Sequence, residues 1–331
     1  MNINLSTRTI SLIVAGVFVF FYGLGVYWSI EPDSIDIEKE VTLAAQAENV
    51  APVVGYTTTT ALIKVAETLL NKPGGYLAND ALPPSVFLDN MPAWEFGVLE
   101  MVRDMALVMR KDFSRSQSQS LVNQHLKEAQ PRFNINHRKW AMPSAESEYQ
   151  KAINSLYKYR AGLVSINGQE RAQFYARADN LRAYIEEVQK RLGSYSHRLS
   201  SSVGREQVNT DLAGDSQAQQ SSSAASQLQI KTSWWKIDDE FYEARGAAWA
   251  LLQLLKAVEI DFESVLTNKN AKISLQQIIR ELEASQQTLW SPMVLNGDGF
   301  GVLANHSLVM ANYISRANAA LIDLNELLSK G

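Results

Sequence analysis

The chain has 331 residues, a net charge of −4 and no cysteine. That length allows one large domain or two smaller ones, each with a sizeable core. The missing cysteine excludes disulfides, thiol catalysis and cysteine metal sites, and the mildly acidic balance gives no electrostatic reason to bind nucleic acid.

Residues Ile10 to Trp28 form the one long uncharged apolar run. At about 1.5 Å per residue it reaches roughly 30 Å, the thickness of a bilayer's hydrocarbon core. Arg8 is the only charged side chain before it. Glu31, Asp33, Asp36, Glu38 and Glu40 follow, opposed by Lys39 alone. Basic residues stay on the cytoplasmic side, so residues 1–9 are expected inside and the remainder outside, in the bacterial periplasm. Tyr22, Tyr27 and Trp28 crowd the outer end, where amphipathic rings favour the headgroup level. A cleaved signal peptide would need small residues at its cleavage site, and Val26-Tyr27-Trp28-Ser29-Ile30 is bulky. A buried core helix fits poorly with the acidic flank and the aromatic collar.

Beyond the apolar run, residues 29–199 read as a first helical region. Leu62, Ile63, Val65, Ala66, Leu69 and Leu70 mark a helix that Asn71-Lys72-Pro73-Gly74-Gly75 ends. Pro83-Pro84 and Pro92 punctuate an irregular stretch. Trp94 to Phe113 reads as a helix with Glu95, Arg103, Asp104, Arg110 and Lys111 among its polar positions. Pro131 and Pro143 bracket Arg132 to Met142, and Pro143-Ser144 followed by Glu146 is a capped helix start. The helix it opens carries Tyr149, Ala152, Ile153, Leu156 and Leu163. A longer stripe runs through Phe174, Ala178, Leu181, Ile185, Val188, Leu192, Tyr195 and Leu199 at alternating spacings of four and three.

Residues 200–233 are rich in Ser and Gln and sparse in apolar side chains, which reads as a surface loop or linker. A second helical region, 234–331, is expected to pack on the first. One stripe runs through Phe241, Ala244, Ala248, Leu251, Leu255, Val258, Phe262 and Val265. Another runs through Leu303, His306, Met310, Tyr313, Ala317, Ala320, Leu324 and Leu327, after the turn Asn296 to Gly301. Strand signals are weak, and the expected fold class is all-α: a single N-terminal transmembrane helix followed by an antiparallel helical bundle. Phe174-Tyr175-Ala176-Arg177 and Phe241-Tyr242-Glu243-Ala244-Arg245 echo one another. Chance likeness between amphipathic helices explains this better than duplication.

Motifs for chemistry are scarce. Asn296-Gly297-Asp298-Gly299-Phe300-Gly301 starts like a calcium loop, but Phe300 and Ser307 stand where oxygen ligands are needed. His125, His137, His197 and His306 contain no helical zinc spacing, and His306 on an apolar stripe reads as a core histidine. His137, Arg138, Lys139 and Arg132 form a small basic cluster that could hold an anionic group or simply meet solvent. No nucleophile elbow or phosphate loop is present. Glu95, between Trp94 and Phe96, is the most suggestive acid. An apolar setting could raise its pKa as a general acid of glycan cleavage requires, but a first-turn acid also simply meets the helix dipole. No cofactor or metal is expected. Three irregular segments, Pro73 to Gly97, Arg132 to Ser144 and Asn296 to Gly301, hold most of the unusual chemistry. At least two are expected to meet in a groove with apolar and polar walls, with Trp94, Glu95, His137, Arg138, Trp140, Asp298 and Phe300 as candidate ligand contacts. Otherwise their aromatic rings plug the ends of the bundle.

Trp28-Ser29-Ile30-Glu31-Pro32-Asp33, Lys72-Pro73-Gly74-Gly75-Tyr76-Leu77, Asp89 to Gly97 and Phe241 to Gly246 are long, unusual strings. Through them the whole chain resembles a family of bacterial inner-membrane proteins known only as a domain of unknown function. The resemblance implies the single-anchor architecture and brings no activity, ligand or catalytic residue. The reading that follows is a non-enzymatic, inner-membrane-anchored periplasmic protein acting as a scaffold or interaction module. Its expected partners are the lipid bilayer and another envelope protein, with a homo-oligomer left open. The rival reading is a periplasmic cell-wall glycan hydrolase or lyase using Glu95 as general acid.

Overall fold

A computed structural model describes residues 6–116, 121–165, 171–208, 227–291, 293–297 and 302–330. The fold is all-α. In chain order the helices are α1 (Thr7–Trp28), α2 (Ile37–Glu48), α3 (Tyr56–Asn71), α4 (Asn90–Val108), α5 (Gln124–Phe133), α6 (Ala145–Val164), α7 (Ala178–Ser200), α8 (Ile237–Asp261), α9 (Glu263–Asn268), α10 (Lys272–Ser285) and α11 (His306–Ser329). A π-helical turn, Met109–Phe113, prolongs α4. α1 is long and apolar enough to cross a membrane, and little of it is buried.

Local signals explain the helix boundaries. The Ser144 hydroxyl caps α6 by accepting from the Ser147 N–H at 3.3 Å, as its sequence suggests. Gly55, with φ of 91°, opens α3 without a side-chain cap of its own. Asp261, at the end of α8, supplies one: the Thr58 N–H donates to its Oδ2 at 2.6 Å. Side chains at residue 55 would strike Phe174, whose ring comes within 2.6 Å of the position a Cβ would take. Three helices go beyond the stripes read from sequence, namely α2, α5 and α10. Each has a signal of its own: Asp36 caps α2, Asn123 caps α5, and Leu275, Ile278, Ile279 and Leu282 form the buried face of α10. Pro131 lies inside α5 near its end and does not bound it.

The helices pack as an antiparallel bundle around α8. Where the sequence suggests one stripe, α8 is buried on nearly all sides, with Ala244, Ala247, Ala248 and Ala250 fully enclosed. α4, α3 and α10 surround it, α7 pairs with α11, and α5 pairs with α6. The closest crossing is between α4 and α8. A Cβ on Gly97 would lie 1.9 Å from the Glu243 carbonyl oxygen, and one on Gly246 would lie 2.1 Å from the Trp94 carbonyl oxygen. Small residues let the two backbones touch, and Trp94 and Trp249 pack ring to ring beside them at 5.2 Å.

Several sequence expectations are corrected. Phe174 precedes α7 instead of lying on it, and packs against Phe113 and Phe262. The buried face of α11 uses Ile314, Leu321 and Leu328 in place of Tyr313, Ala320 and Leu327. Leu303 lies before that helix and is exposed. The Ser/Gln-rich segment is not wholly loop. Strands β1 (Arg205–Val208) and β2 (Gln227–Ile230) pair antiparallel, with Arg205 opposite Ile230. The two echoing strings differ in structure, since residues 174–177 precede α7 whereas 241–245 lie inside α8.

Substituting Gly97→Ala or Gly246→Ala should destabilise the protein by about 1–3 kcal/mol, because a methyl group cannot enter the crossing without parting the backbones. Gly193→Ala in α7, whose new methyl group would meet nothing nearer than the Asn318 side chain of α11 at 3.8 Å, should instead stabilise by roughly 0.5–1 kcal/mol. Thermal unfolding of the purified chain checks the opposite signs.

Candidate functional site

Glu95 sits in α4 with its side chain completely enclosed. Lys72, just past α3 and equally enclosed, places Nζ 2.6 Å from Glu95 Oε1. The Leu77 N–H donates to the same carboxylate at 2.8 and 3.1 Å, and the Ala78 N–H donates at 2.8 Å. Lys72 also donates to the Gly75 carbonyl at 2.6 Å. The pair thus folds residues 72–78 into a compact turn and fixes it to α4. Burial pushes Glu95 up to about 7, against the opposing pull of Lys72 and the two backbone N–H groups. Glu95 is closed off from solvent, and both its oxygens are engaged. The arrangement is that of a structural ion pair.

Two of the three irregular segments meet beside it. The Tyr76 hydroxyl donates to the His137 carbonyl at 3.1 Å, and Asn79 Nδ2 donates to the Lys139 carbonyl at 3.0 Å and to Glu146 at 2.8 Å. Phe96 packs on the His137 ring at 4.6 Å. Together with the start of α8 these segments wall a groove of about 560 Å³. Leu77, Val86, Leu88 and Phe96 give it apolar walls, and Asp80, Asp89, Asp239, Glu240 and Glu243 line it with carboxylates. Arg138 and Lys236 are the cations among its lining residues. Glu240 and Glu243 are held by Arg198 at 2.7 and 2.6 Å. Burial and the neighbouring Asp238 and Asp89 raise Asp239 to about 6. Burial, with Arg138 and Arg103 close by, pushes His137 down to about 4, so the imidazole is neutral at pH 7.

Of the seven contacts expected from sequence, His137 and Arg138 line the groove. Trp94 and Glu95 lie buried beneath it. Trp140 is exposed and outside the lining. Asp298 and Phe300 lie outside the described residues. The described parts of the third segment pair locally with the start of α11: Asn296 pairs with Asn305, and the neighbouring Leu295 N–H donates to His306 Nδ1 at 2.9 Å. His306 is therefore the first residue of α11 with one ring nitrogen satisfied at a turn. The acids of α8 escape sequence reading because they enter the groove only through the α4–α8 crossing, which no local pattern announces. Among the described residues, no three His, Asp or Glu side chains converge as metal ligands.

Fold and site together define an all-α protein with one N-terminal apolar helix and a mixed polar and apolar groove. The chain belongs to the family described as an uncharacterized protein conserved in bacteria, domain of unknown function 2333, whose profile matches residues 2–331. No curated protein and no solved structure matches it.

Glu95→Leu should cost about 3–5 kcal/mol, since it strands the Lys72 ammonium and two N–H groups in the interior. Glu95→Gln should cost less, because its carbonyl keeps one acceptor for the turn. Equal melting temperatures for the three proteins would refute the enclosed ion pair. His137 gives a pH signature. Its folded pKa lies below the ordinary value of 6.5, so its contribution is present above pH 6.5 and is lost as pH falls towards 4. The wild type should therefore lose stability over that window relative to His137→Gln, measured as the difference between their melting temperatures at each pH.

Proposed function

We propose that the chain is a non-enzymatic, membrane-anchored envelope protein whose helical domain stands outside the cytoplasm and offers its groove to a partner protein. The observation that carries this reading is how α1 joins the domain. Its apolar sides are bare along most of its length, as a lipid-facing helix requires. Its last turn is built into the fold: Gly25 lies against Pro84 and Leu88, and Trp28 fills the space left by Gly74. Residues 29–36 then follow α8 as a strap. Arg245 Nε donates to both Glu31 oxygens at 2.7 and 2.8 Å, and Trp249 Nε1 donates to the Asp33 carbonyl at 3.1 Å. A leader destined for removal has no reason to be seated in this way.

The enclosure of Glu95 weighs against the glycan hydrolase or lyase, which needs an accessible acid. The groove suits protein recognition, with apolar floor residues and acids that would steer a basic surface into register. The acidic flank after α1 and the lone Arg8 before it support the domain's placement in the periplasm.

A reporter enzyme active only outside the cytoplasm should work when fused after Gly331, and the chain should stay in membranes through alkaline washing. A photo-crosslinking amino acid in place of Val86, at the groove wall, should capture a partner of defined mass in native membranes. The same residue in place of Ile273 should not. Release of the chain by alkali would refute the anchor, and equal labelling from both positions would refute the groove as the contact.

A further inference from the structure

We propose that one end of the helical domain rests in the membrane interface, with Leu82, Phe87, Trp140, Trp234, Trp235 and Trp290 at headgroup level around the point where α1 enters the bilayer. This rests on the reading of α1 as an anchor and goes beyond it, since an anchored domain could equally stand clear of the lipid.

The strap gives the direction. Glu31 lies at Arg245, Asp33 at Trp249, Ser34 at Gln253, and residues 36–38 share a cleft with Lys256 and Ile260. The chain therefore leaves α1 in the N-to-C direction of α8. The start of α8 is the membrane end, and its last turn stands roughly 35–40 Å away at 1.5 Å per residue.

The six side chains gather at the near end. Trp234 and Trp235 form the turn that leads into α8. Leu82 and Phe87 flank Pro84 and Leu88, which touch α1 at Gly25. Trp290 follows Leu289, which shares a cleft with Ser29 and Ile30. Trp140 is two residues beyond Arg138, which lines the groove together with Leu88 and Lys236. All six are between 66 % and 92 % exposed. Among the described residues, every exposed Phe, Tyr and Trp side chain outside α1 belongs to this group. Trp28, Trp94 and Trp249 are instead packed into the fold.

Clustered exposed apolar side chains of this size mark a contact surface. Lipid is the occupant because the patch continues the surface of α1, and because Trp is the residue that favours the bilayer interface, with an apolar ring and a polar N–H. Lys236 follows Trp235 in the chain and Arg138 stands two residues before Trp140, and both cations share the groove with Asp89 and Asp239. Docking therefore draws on ring burial more than on charge and needs no anionic lipid.

The absence of native cysteine allows single-site labelling of the full chain. Phe87→Cys, Trp235→Cys and Trp290→Cys, with Ile273→Cys at the far end and Phe18→Cys inside α1, would each carry a fluorophore in phosphatidylcholine vesicles. Lipids brominated at shallow acyl positions should quench labels at 87, 235 and 290 at least roughly twofold more than the label at 273, as interface residence requires. The label at 18 should also be quenched, by lipids brominated at any depth. Quenching at 18 without quenching at 87, 235 and 290 overturns the docking and leaves the anchor standing. No quenching at 18 overturns the anchor itself. Labels at 87, 235 and 290 that are shielded from aqueous iodide yet untouched by bromolipid place a second copy or another protein on the patch and overturn the lipid assignment. Quenching at 273 equal to the others overturns the orientation.

Discussion

The contact on which the rest depends is the crossing of α4 and α8 at Gly97 and Gly246. Two backbones in contact leave no freedom of rotation, so three consecutive side chains of α4 receive three different fates. Trp94 packs on Trp249 in the core. Glu95 turns to Lys72 and the 72–78 turn. Phe96 meets His137 in the groove. On α8, Glu243 faces the groove while Arg245, two residues later, faces the strap and donates to the Ser285 carbonyl at 3.0 Å. Groove, buried ion pair and strap are thus three sides of one joint.

The buried pair of Lys72 and Glu95 adds geometry more than net stability. Desolvating two charges offsets most of what their attraction returns. What the pair secures is the conformation of a turn that contains two glycines with positive φ, Gly74 at 84° and Gly75 at 71°. Such a turn is otherwise poorly specified. Gly74 is where Trp28 docks, so the ion pair holds the seat for the end of α1. An apolar substitute could fill the volume but would leave the Leu77 and Ala78 N–H groups without an acceptor.

Much of the fold was legible where a helix has one apolar side and a clear stop. α3 ends at the Lys72-Pro73-Gly74 breaker, and α6 starts at the Ser144 cap, as the sequence indicates. Legibility failed where tertiary context overrode the pattern. α8 buries nearly every side, so its stripe was real but incomplete, and the acids that enter the groove looked like ordinary polar positions. Phe174 continued the period of α7 yet lies outside it, because the Tyr175 N–H bonds to the Phe113 carbonyl at 2.7 Å and holds the segment extended. In the site, the meeting of the first two irregular segments, Pro73 to Gly97 and Arg132 to Ser144, could be anticipated from their shared chemistry. Which side chains would be sealed and which exposed could not, since Glu95 and Phe96 are neighbours in sequence.

The same joint bears on how a domain on a stem could work. A flexible linker would let the groove take any height and orientation relative to the point where α1 ends. Here Glu31, Asp33 and Ser34 are each bonded to α8, and Gly25 and Trp28 pack against the loop around residues 74–88, so the segment between helix and domain has little slack. The groove lies at the end of the domain nearest α1, because Leu88 borders both. Any partner that enters it must approach close to the mouth of α1. In a membrane setting this confines the partner to a thin layer above the lipid and favours proteins that are themselves held there. Restricting encounter to that layer raises effective concentration without any gain in contact energy. Such a design works even with a groove whose walls mix carboxylates and apolar side chains without one dominant anchor.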